Sequence, residues 1–262
     1  MRLIFPPQVS PGEFDNPDHL TRPDLARLYA YPGGDRIGDR IWVRANMVAS
    51  ADGAATIRGR SAGLSSEADR SLFSLLRTLS DVILVGAGTA RAERYSAVRP
   101  EDLWPGLRDG AATVPAIAVV TRRISLDLAS PLLTAALPGA RTILITSEQA
   151  PAELRSGALR TADVIVAGDD NADLGFALGA LADRGYRRVL AEGGPQLLGE
   201  LTADELLDEL CLTISPLVAS GVAGRIAVGT SAVQSGRLEL QHVLEEEGHL
   251  FCRYTRRRPA IA

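Results

Sequence analysis

The chain has 262 residues, of which 46% are hydrophobic and 23% charged, and its formal net charge is −4 at pH 7. These are ordinary values for a globular protein, so they exclude a largely disordered chain. The length is sufficient for one large domain or two small ones. Because the chain as a whole is acidic, it lacks the basic composition typical of nucleic-acid or membrane binding. We therefore expect neither nucleic acid nor membrane as a partner.

The reactive side chains exclude several chemistries. All 28 basic residues are arginine, which excludes Schiff-base lysines and the lysine of a P-loop. The two cysteines and three histidines do not stand at metal-ligand spacing, so we expect no metal. Two cysteines argue against a disulfide framework, and the start of the chain lacks the apolar run of a signal peptide. These features indicate a cytoplasmic protein.

The first 39 residues differ from the rest. Prolines at positions 6, 7, 11, 17, 23 and 32 interrupt any long element there. We interpret residues 1–39 as an arm with one short helix, over 19–29, that packs on a body formed by residues 40–262. Several apolar side chains of this arm are expected to be buried, namely Leu3, Ile4, Phe5, Phe14 and Tyr29.

From residue 40 onwards, short apolar runs alternate with segments of helical spacing. Strands are predicted over 40–50, 81–85, 116–121, 142–146, 163–167, 188–191 and 207–218. Helices are predicted over 66–79, 151–159, 174–184 and 195–201, and a hairpin over 238–244 and 249–256 with its turn in EEEGH. The alternation predicts an α/β fold, with a mostly parallel central sheet flanked by helices and a C-terminal antiparallel hairpin.

Two glycine clusters follow predicted strands, where ligands bind in parallel sheets. The first is Gly86-Ala87-Gly88-Thr89, and the second is Glu192-Gly193-Gly194-Pro195. Glycines let backbone amides approach a phosphate, and a helix amino terminus attracts it. A tight turn is the alternative for each cluster, and the first is not a Rossmann fingerprint, because Arg91 occupies the position of the last glycine. Two clusters at one sheet edge favour a dinucleotide site.

Four further residues, at three places in the chain, have two interpretations each. Thr121 and Arg122 end a strand, where an arginine suits either the 2′-phosphate of NADPH or a solvated turn. Arg77, on a helix face, suits a salt bridge or a ligand. Arg99, in the loop-rich stretch 93–113, suits a phosphate or solvent.

Taken in order, the motifs resemble one family. SADG at 50–53, LRTLSDVILVGAGT at 76–89, EGGPQLLGEL at 192–201 and LLDELCLTISPLV at 206–218 are similar to the pyrimidine reductases of riboflavin biosynthesis. This is the RibD C-terminal domain family, which has a dihydrofolate-reductase-like fold. The resemblance covers roughly residues 40–256.

The resemblance implies an activity and a set of site residues. The activity is hydride transfer from NADPH to 5-amino-6-(5-phosphoribosylamino)uracil, which turns the ribosyl chain into ribityl. Together with the glycine and arginine positions above, the expected cofactor-binding residues are Gly86, Thr89, Glu93, Thr121, Arg122, Gly193, Gly194, Pro195, Gln196 and Leu197. The expected substrate-binding residues are Ser61, Arg77, Ser96, Arg99 and Glu192, and the expected catalytic residues are Asp52 and Glu192. The resemblance also implies a homodimer. We expect no zinc deaminase domain of the kind that bifunctional relatives carry, because the sequence lacks its zinc-binding motif.

Two departures from the family pattern concern the substrate side. Asn46 stands where the family commonly has lysine, and the family's DxPxLxxR stretch is replaced by ERYSAVR at 93–99. These departures keep two alternatives open. One is a dihydrofolate or pterin reductase with the same fold, and the other is an NADPH-binding protein without catalysis.

Overall fold

The computed structural model describes residues 1–6, 14–32, 40–108, 113–229 and 237–256. In these ranges the chain forms ten strands and seven α-helices. The strands are β1 (Arg2–Phe5), β2 (Trp42–Ser50), β3 (Val82–Gly86), β4 (Ala116–Val120), β5 (Ile143–Thr146), β6 (Asp163–Val166), β7 (Arg188–Ala191), β8 (Glu209–Ser215), β9 (Leu238–Glu246) and β10 (His249–Arg256). The helices are α1 (Arg22–Leu28), α2 (Glu67–Leu79), α3 (Ala87–Ala92), α4 (Pro131–Thr134), α5 (Ala152–Ala158), α6 (Leu174–Ala182) and α7 (Pro195–Ala203).

All these strands belong to one sheet, in the order β1-β9-β10-β8-β2-β7-β3-β4-β5-β6. Each neighbouring pair from β8 to β6 is parallel. The pairs β8–β10, β10–β9 and β9–β1 are antiparallel. The predicted fold class is therefore confirmed. Because parallel strands end at the same edge, the ends of β2, β7 and β3 lie side by side although they are far apart in sequence.

Apolar side chains cover both faces of the parallel strands, which is why these strands are continuous apolar runs. In β3, Val82 and Leu84 pack in a cluster with α6 and α7, whereas Ile83 and Val85 pack on the other face with α3 and α4. A third cluster joins α2 to α1 and to the hairpin strands. No helix in the described ranges is long and apolar enough to cross a membrane.

The N-terminal arm contributes both a strand and a helix. β1, which the sequence did not predict, forms the edge of the sheet beside β9. The helix predicted over 19–29 is α1, and Phe14 and Tyr29 are buried in the third cluster as expected. The expectation that Ile4 and Phe5 are buried is wrong, since they are 42% and 39% exposed on this short edge strand. The division into arm and body stays a prediction.

The C-terminal hairpin has a tighter turn than predicted. β9 continues to Glu246, so only Glu247 and Gly248 connect it to β10. Both residues have positive φ, 50° and 78°, as a type I′ turn requires. The predicted strand 207–218 is also shorter, because β8 ends before Pro216, which has no amide to donate to a neighbouring strand.

Candidate functional site

A cleft of about 570 Å³ lies at the carboxyl ends of β2, β7 and β3. Its walls are α2, the loop 55–62 after β2, and the segment 88–97 that includes most of α3. Residues of β2, among them Asn46 and Met47, also line the cleft, together with Glu192, Gly194 and Pro195. This is the edge at which ligands bind in open α/β sheets.

The two glycine clusters meet at this edge. The Gly86 amide donates a hydrogen bond to the Gly193 carbonyl oxygen at 2.8 Å. Gly193 has a φ of +82°, a conformation that favours glycine. A Cβ atom on Gly194 would lie 2.4 Å from the Thr89 hydroxyl oxygen, so only glycine leaves room for that hydroxyl. The fold therefore joins the predicted glycine positions into one small-residue cradle, with Thr89 lining the cleft.

The second cluster leads directly into α7. Pro195 is the first residue of this helix and lines the cleft. The amides of Gln196 and Leu197 belong to the first turn, where no helical carbonyl is available to accept from them. The Gln196 side chain is exposed, whereas the Leu197 side chain packs in the core beneath the helix. Leu197 can thus offer a ligand its amide but not its side chain.

Glu192, the residue after β7, is the most tightly held carboxylate of the cleft. Arg77 donates from Nε to Oε1 and from Nη2 to Oε2, both at 2.7 Å, and the Tyr95 hydroxyl donates to Oε2 at 2.6 Å. The Glu192 side chain is only 1% exposed. Phe73 lies against the guanidinium of Arg77, 4.2 Å from its ring centroid. The salt-bridge interpretation of Arg77 is therefore the one the structure shows.

The surroundings fix the protonation of both donors in this group. Burial by itself lowers the pKa of Arg77, but the charge and hydrogen bonds of Glu192 outweigh it and raise the pKa above its ordinary value. Burial, and then the charge of Glu192, raise the pKa of Tyr95 well above its ordinary value. Arg77 therefore stays charged and Tyr95 stays a hydrogen-bond donor at neutral pH.

Glu93 and Ser61 connect two walls of the cleft. The Glu93 carboxylate accepts from the Ser61 amide at 2.9 Å and from its hydroxyl at 3.0 Å. This contact ties the end of α3 to the loop after β2. Ser96 also lines the cleft, as its predicted role requires.

Asp52, the other predicted catalytic carboxylate, is held by hydrogen bonds at the end of β2. Its carboxylate accepts from the Ser50 hydroxyl at 2.5 Å and from the amides of Ala219 and Ser220 at 3.0 and 2.8 Å. These hydrogen bonds, that of Ser50 first, lower the pKa of Asp52 to about 2. Asp52 is absent from the described residues that line the cleft. The carboxylate holds the loop after β8, and at neutral pH it has no proton to give.

Seven other predicted residues also lie outside the described lining of the cleft, namely Gly86, Gly193, Gln196 and Leu197 of the cradle and, further away, Arg99, Thr121 and Arg122. The Arg99 side chain is 68% exposed, and its guanidinium lies 3.9 Å from the Glu101 carboxylate. It follows Glu93 by six residues, one fewer than in the family pattern. Thr121 is buried and accepts from the Ser125 amide at 3.2 Å, while Arg122 is exposed beyond the end of β4.

The sequence interpretation missed two arginines that line the cleft. Arg70, on α2, and Arg94, after α3, are both exposed there, and neither forms an ion pair with any described residue. Arg70 stands seven residues before Arg77, so the helical period places them on one face. That spacing was the available signal for Arg70. Arg94 has a left-handed backbone conformation, with a φ of 55°. Arginine rarely adopts this conformation, so the sequence did not predict it.

The parallel sheet, its antiparallel hairpin and the cleft beside the joined glycine loops define an α/β protein with a ligand cleft at the carboxyl edge of its sheet. The family model described as RibD C-terminal domain matches residues 41–248. The chain therefore belongs to the RibD C-terminal domain family, as its motifs predicted.

Relatives of known name support this assignment. Over 204 residues the chain is 30% identical to the 2,5-diamino-6-ribosylamino-4(3H)-pyrimidinone 5′-phosphate reductase of Archaeoglobus fulgidus, covering 76% of this chain and 92% of that protein. A pyrimidine reductase-like protein of Corynebacterium diphtheriae has a similar structure, with a TM-score of 0.73 and 28% identity over 84% of this chain and 93% of that one. The riboflavin biosynthesis reductase Rib7 of Saccharomyces cerevisiae shares the fold, with a TM-score of 0.60 and 17% identity over 84% and 91% of the chains. The predicted reductase class is thus confirmed.

Proposed function

We propose that the chain uses NADPH to reduce the ribosyl group of a ribosylaminopyrimidine 5′-phosphate to a ribityl group. The observation that carries this proposal is the glycine cradle, in which the Gly86 amide donates to the Gly193 carbonyl oxygen. The cradle adjoins a cleft that Glu192 and Arg77 line. A relative with 30% identity is named as a reductase of such a substrate.

The residues of the cradle fit a dinucleotide. The absence of a side chain at Gly194 keeps space beside the Thr89 hydroxyl, and a Cβ atom on Gly88 would meet no other atom within 4 Å. The first-turn amides of α7 favour a negatively charged group. The pyrophosphate of NADPH would be held by these amides and by Thr89, and Arg122 would take its 2′-phosphate. When bound, NADPH supplies the hydride.

The substrate phosphate needs a cation that has no carboxylate partner already. Arg77 is occupied by Glu192, and Arg99 lies outside the described cleft lining. Arg70 and Arg94 line the cleft and have no ion-pair partner in the described ranges. We therefore assign the 5′-phosphate to Arg70 and Arg94, since guanidinium groups bind phosphate oxygens through charge-assisted hydrogen bonds.

Of the two predicted catalytic carboxylates, Glu192 is the one that a substrate can contact. Its charge is balanced by Arg77, so it serves to accept a hydrogen bond and to orient the substrate. Reduction of the ribosyl carbon also requires a proton to balance the hydride. Asp52 is deprotonated and bound to the loop after β8, so we assign it no part in this proton transfer.

The direct test is to follow NADPH absorbance with the purified full chain and two substrates. One is 5-amino-6-(5-phosphoribosylamino)uracil, and the other is the 2,5-diamino-pyrimidinone analogue for which the relatives are named. We expect turnover of at least one, with a ribityl product by mass spectrometry, and none with dihydrofolate. NADPH binding without turnover of either pyrimidine would overturn the proposal, and turnover of dihydrofolate alone would replace it.

We further propose that the chain is a cytoplasmic homodimer. Both of its cysteines are free and buried, which suits a reducing compartment. Three apolar side chains after β8 are exposed on one loop, Leu217 by 43%, Val218 by 77% and Val222 by 103%. Such a group is typical of an interaction surface. Light scattering should give twice the monomer mass, and Val218→Ser should lower it.

A further inference from the structure

Tyr95 is the residue of the cleft that the family pattern does not predict. It occupies the position where that pattern has proline, yet its hydroxyl donates to Glu192 Oε2 at 2.6 Å. Its own amide donates to the Ala90 carbonyl at 2.9 Å, which anchors the backbone to α3. Tyr95 therefore holds Glu192 from the segment after α3, and its ring also lies 5.4 Å from the guanidinium of Arg77.

The three hydrogen bonds leave the carboxylate little freedom. An ionised carboxylate accepts at about four lone-pair sites. Arg77 uses one site on each oxygen of Glu192, and Tyr95 uses a second site on Oε2. Rotation of the carboxylate would break all three bonds in a place from which solvent is almost excluded. Of the four sites, one on Oε1 is therefore used by none of these three hydrogen bonds.

We propose that Tyr95 is a positioning residue: it orients Glu192 so that the remaining Oε1 lone pair accepts from one N–H or O–H donor of the ribosylaminopyrimidine substrate. This inference rests on the proposed function. It makes the Arg77–Glu192–Tyr95 group a determinant of substrate binding, although Tyr95 itself need not contact the substrate. It also gives a role to a tyrosine that departs from the family pattern.

The variant that isolates this role is Tyr95→Phe, which keeps the ring and removes only the hydroxyl. We expect kcat/KM for the pyrimidine substrate to fall roughly 10- to 100-fold, the usual effect of losing a hydrogen bond to a charged group. The loss should appear in KM, with kcat changed less than about threefold, because the contact holds substrate and transition state alike. The Kd for NADPH, measured by fluorescence without substrate, should not change.

A double-mutant cycle shows whether Tyr95 acts through Glu192. In the Glu192→Gln background, Tyr95→Phe should change kcat/KM by less than about threefold, because the group that it orients is already altered. Tyr186→Phe is the matched control, since this half-buried tyrosine packs on the core away from the cleft. It should leave KM unchanged.

The outcomes separate this inference from the proposed function. Wild-type KM in Tyr95→Phe, or equal effects of Tyr95→Phe with and without Glu192→Gln, would overturn the positioning role while the activity stands. If the wild-type chain binds the pyrimidine in a calorimeter without reducing it, the proposed function fails, and the affinity of Tyr95→Phe still decides the inference. Absence of any binding to the wild-type chain would overturn both.

Discussion

Replacing Gly194 by alanine would place a methyl carbon 2.4 Å from the Thr89 hydroxyl oxygen. The backbone angles at this position, φ −72° and ψ −169°, are accessible to alanine. The effect that we predict is the contact of the new methyl with Thr89. The only atoms of Thr89 close to the new methyl are Oγ1 and, at 3.8 Å, Cβ.

The magnitude follows from this distance. The methyl is about 1 Å closer to Oγ1 than ordinary van der Waals contact allows, and overpacking of this kind costs about 1–3 kcal/mol. Replacing glycine also reduces the number of conformations of the unfolded chain, which stabilises the folded protein by about 0.4–1 kcal/mol. We expect a net loss of about 0.5–2 kcal/mol in the free energy of unfolding, or a Tm lower by roughly 2–6 °C.

Thr89→Ala tests whether the hydroxyl is the cause. In the double variant Gly194→Ala, Thr89→Ala the methyl has room, so the Tm should return to within about 1 °C of Thr89→Ala alone. The affinity for NADPH should not return, because the methyl still fills the cradle and the hydroxyl is gone. We expect a Kd raised about tenfold or more in both Gly194 variants, as for one lost charged hydrogen bond.

Thermal unfolding and NADPH fluorescence titration of the four proteins measure both effects. Gly88→Ala is the matched control for stability, because a methyl there meets no atom within 4 Å and lies in α3. It should leave the Tm unchanged or raise it. The reasoning is refuted if Gly194→Ala is as stable as the wild type, or if the double variant remains as unstable as Gly194→Ala.

Three other expectations follow from the structure. Arg94→Ala should raise KM for the phosphorylated substrate about tenfold, whereas Arg99→Ala should change it less than about twofold. Gly199→Ala should lower the free energy of unfolding by about 1–3 kcal/mol, because its Cβ would lie only 1.9 Å from the Val228 carbonyl oxygen. Burial lowers the pKa of His242 from 6.5 to about 3, so the stability that its neutral form provides is complete above pH 6.5 and is lost as the pH falls towards 3. Between pH 7 and 5 the wild type should lose about 2 kcal/mol more than His242→Gln.

Each of these measurements has a built-in comparison. Gly179→Ala is the control for Gly199→Ala, since Gly179 is an exposed glycine in α6 with no atom within 4 Å of its Cβ position. It should be neutral or stabilising, and equal destabilisation by both would contradict the clash. If KM rose in Arg99→Ala and not in Arg94→Ala, the assignment of the phosphate to Arg94 would be wrong, and Arg99 would bind it as the family resemblance implied. Parallel pH curves for the wild type and His242→Gln would exclude the histidine as the acid-sensitive group.

The local pattern of apolar residues was sufficient to predict strands that are buried on both faces and helices that are buried on one. The strands β3 and β5 were predicted almost to the residue, because a strand buried on both faces must be apolar throughout. The amphipathic helix α2 was predicted for a related reason, since one face is buried and the other is not. The short helix α3 and the edge strand β1 were missed. Six residues of AGTARA carry no periodicity, and an edge strand has no need of a continuous apolar run.

The sequence by itself determined the α/β class, the family and the two glycine clusters, because these depend on residue type and on spacing along the chain. Only the tertiary structure decided what each charged group meets. It placed β7 between β2 and β3, and so brought Glu192 to Arg77 across 115 residues. It directed Asp52 to the loop after β8 and left Arg99 exposed. The charge partners of a side chain are set by strand order and loop path, which are properties of the whole fold and not of the local sequence.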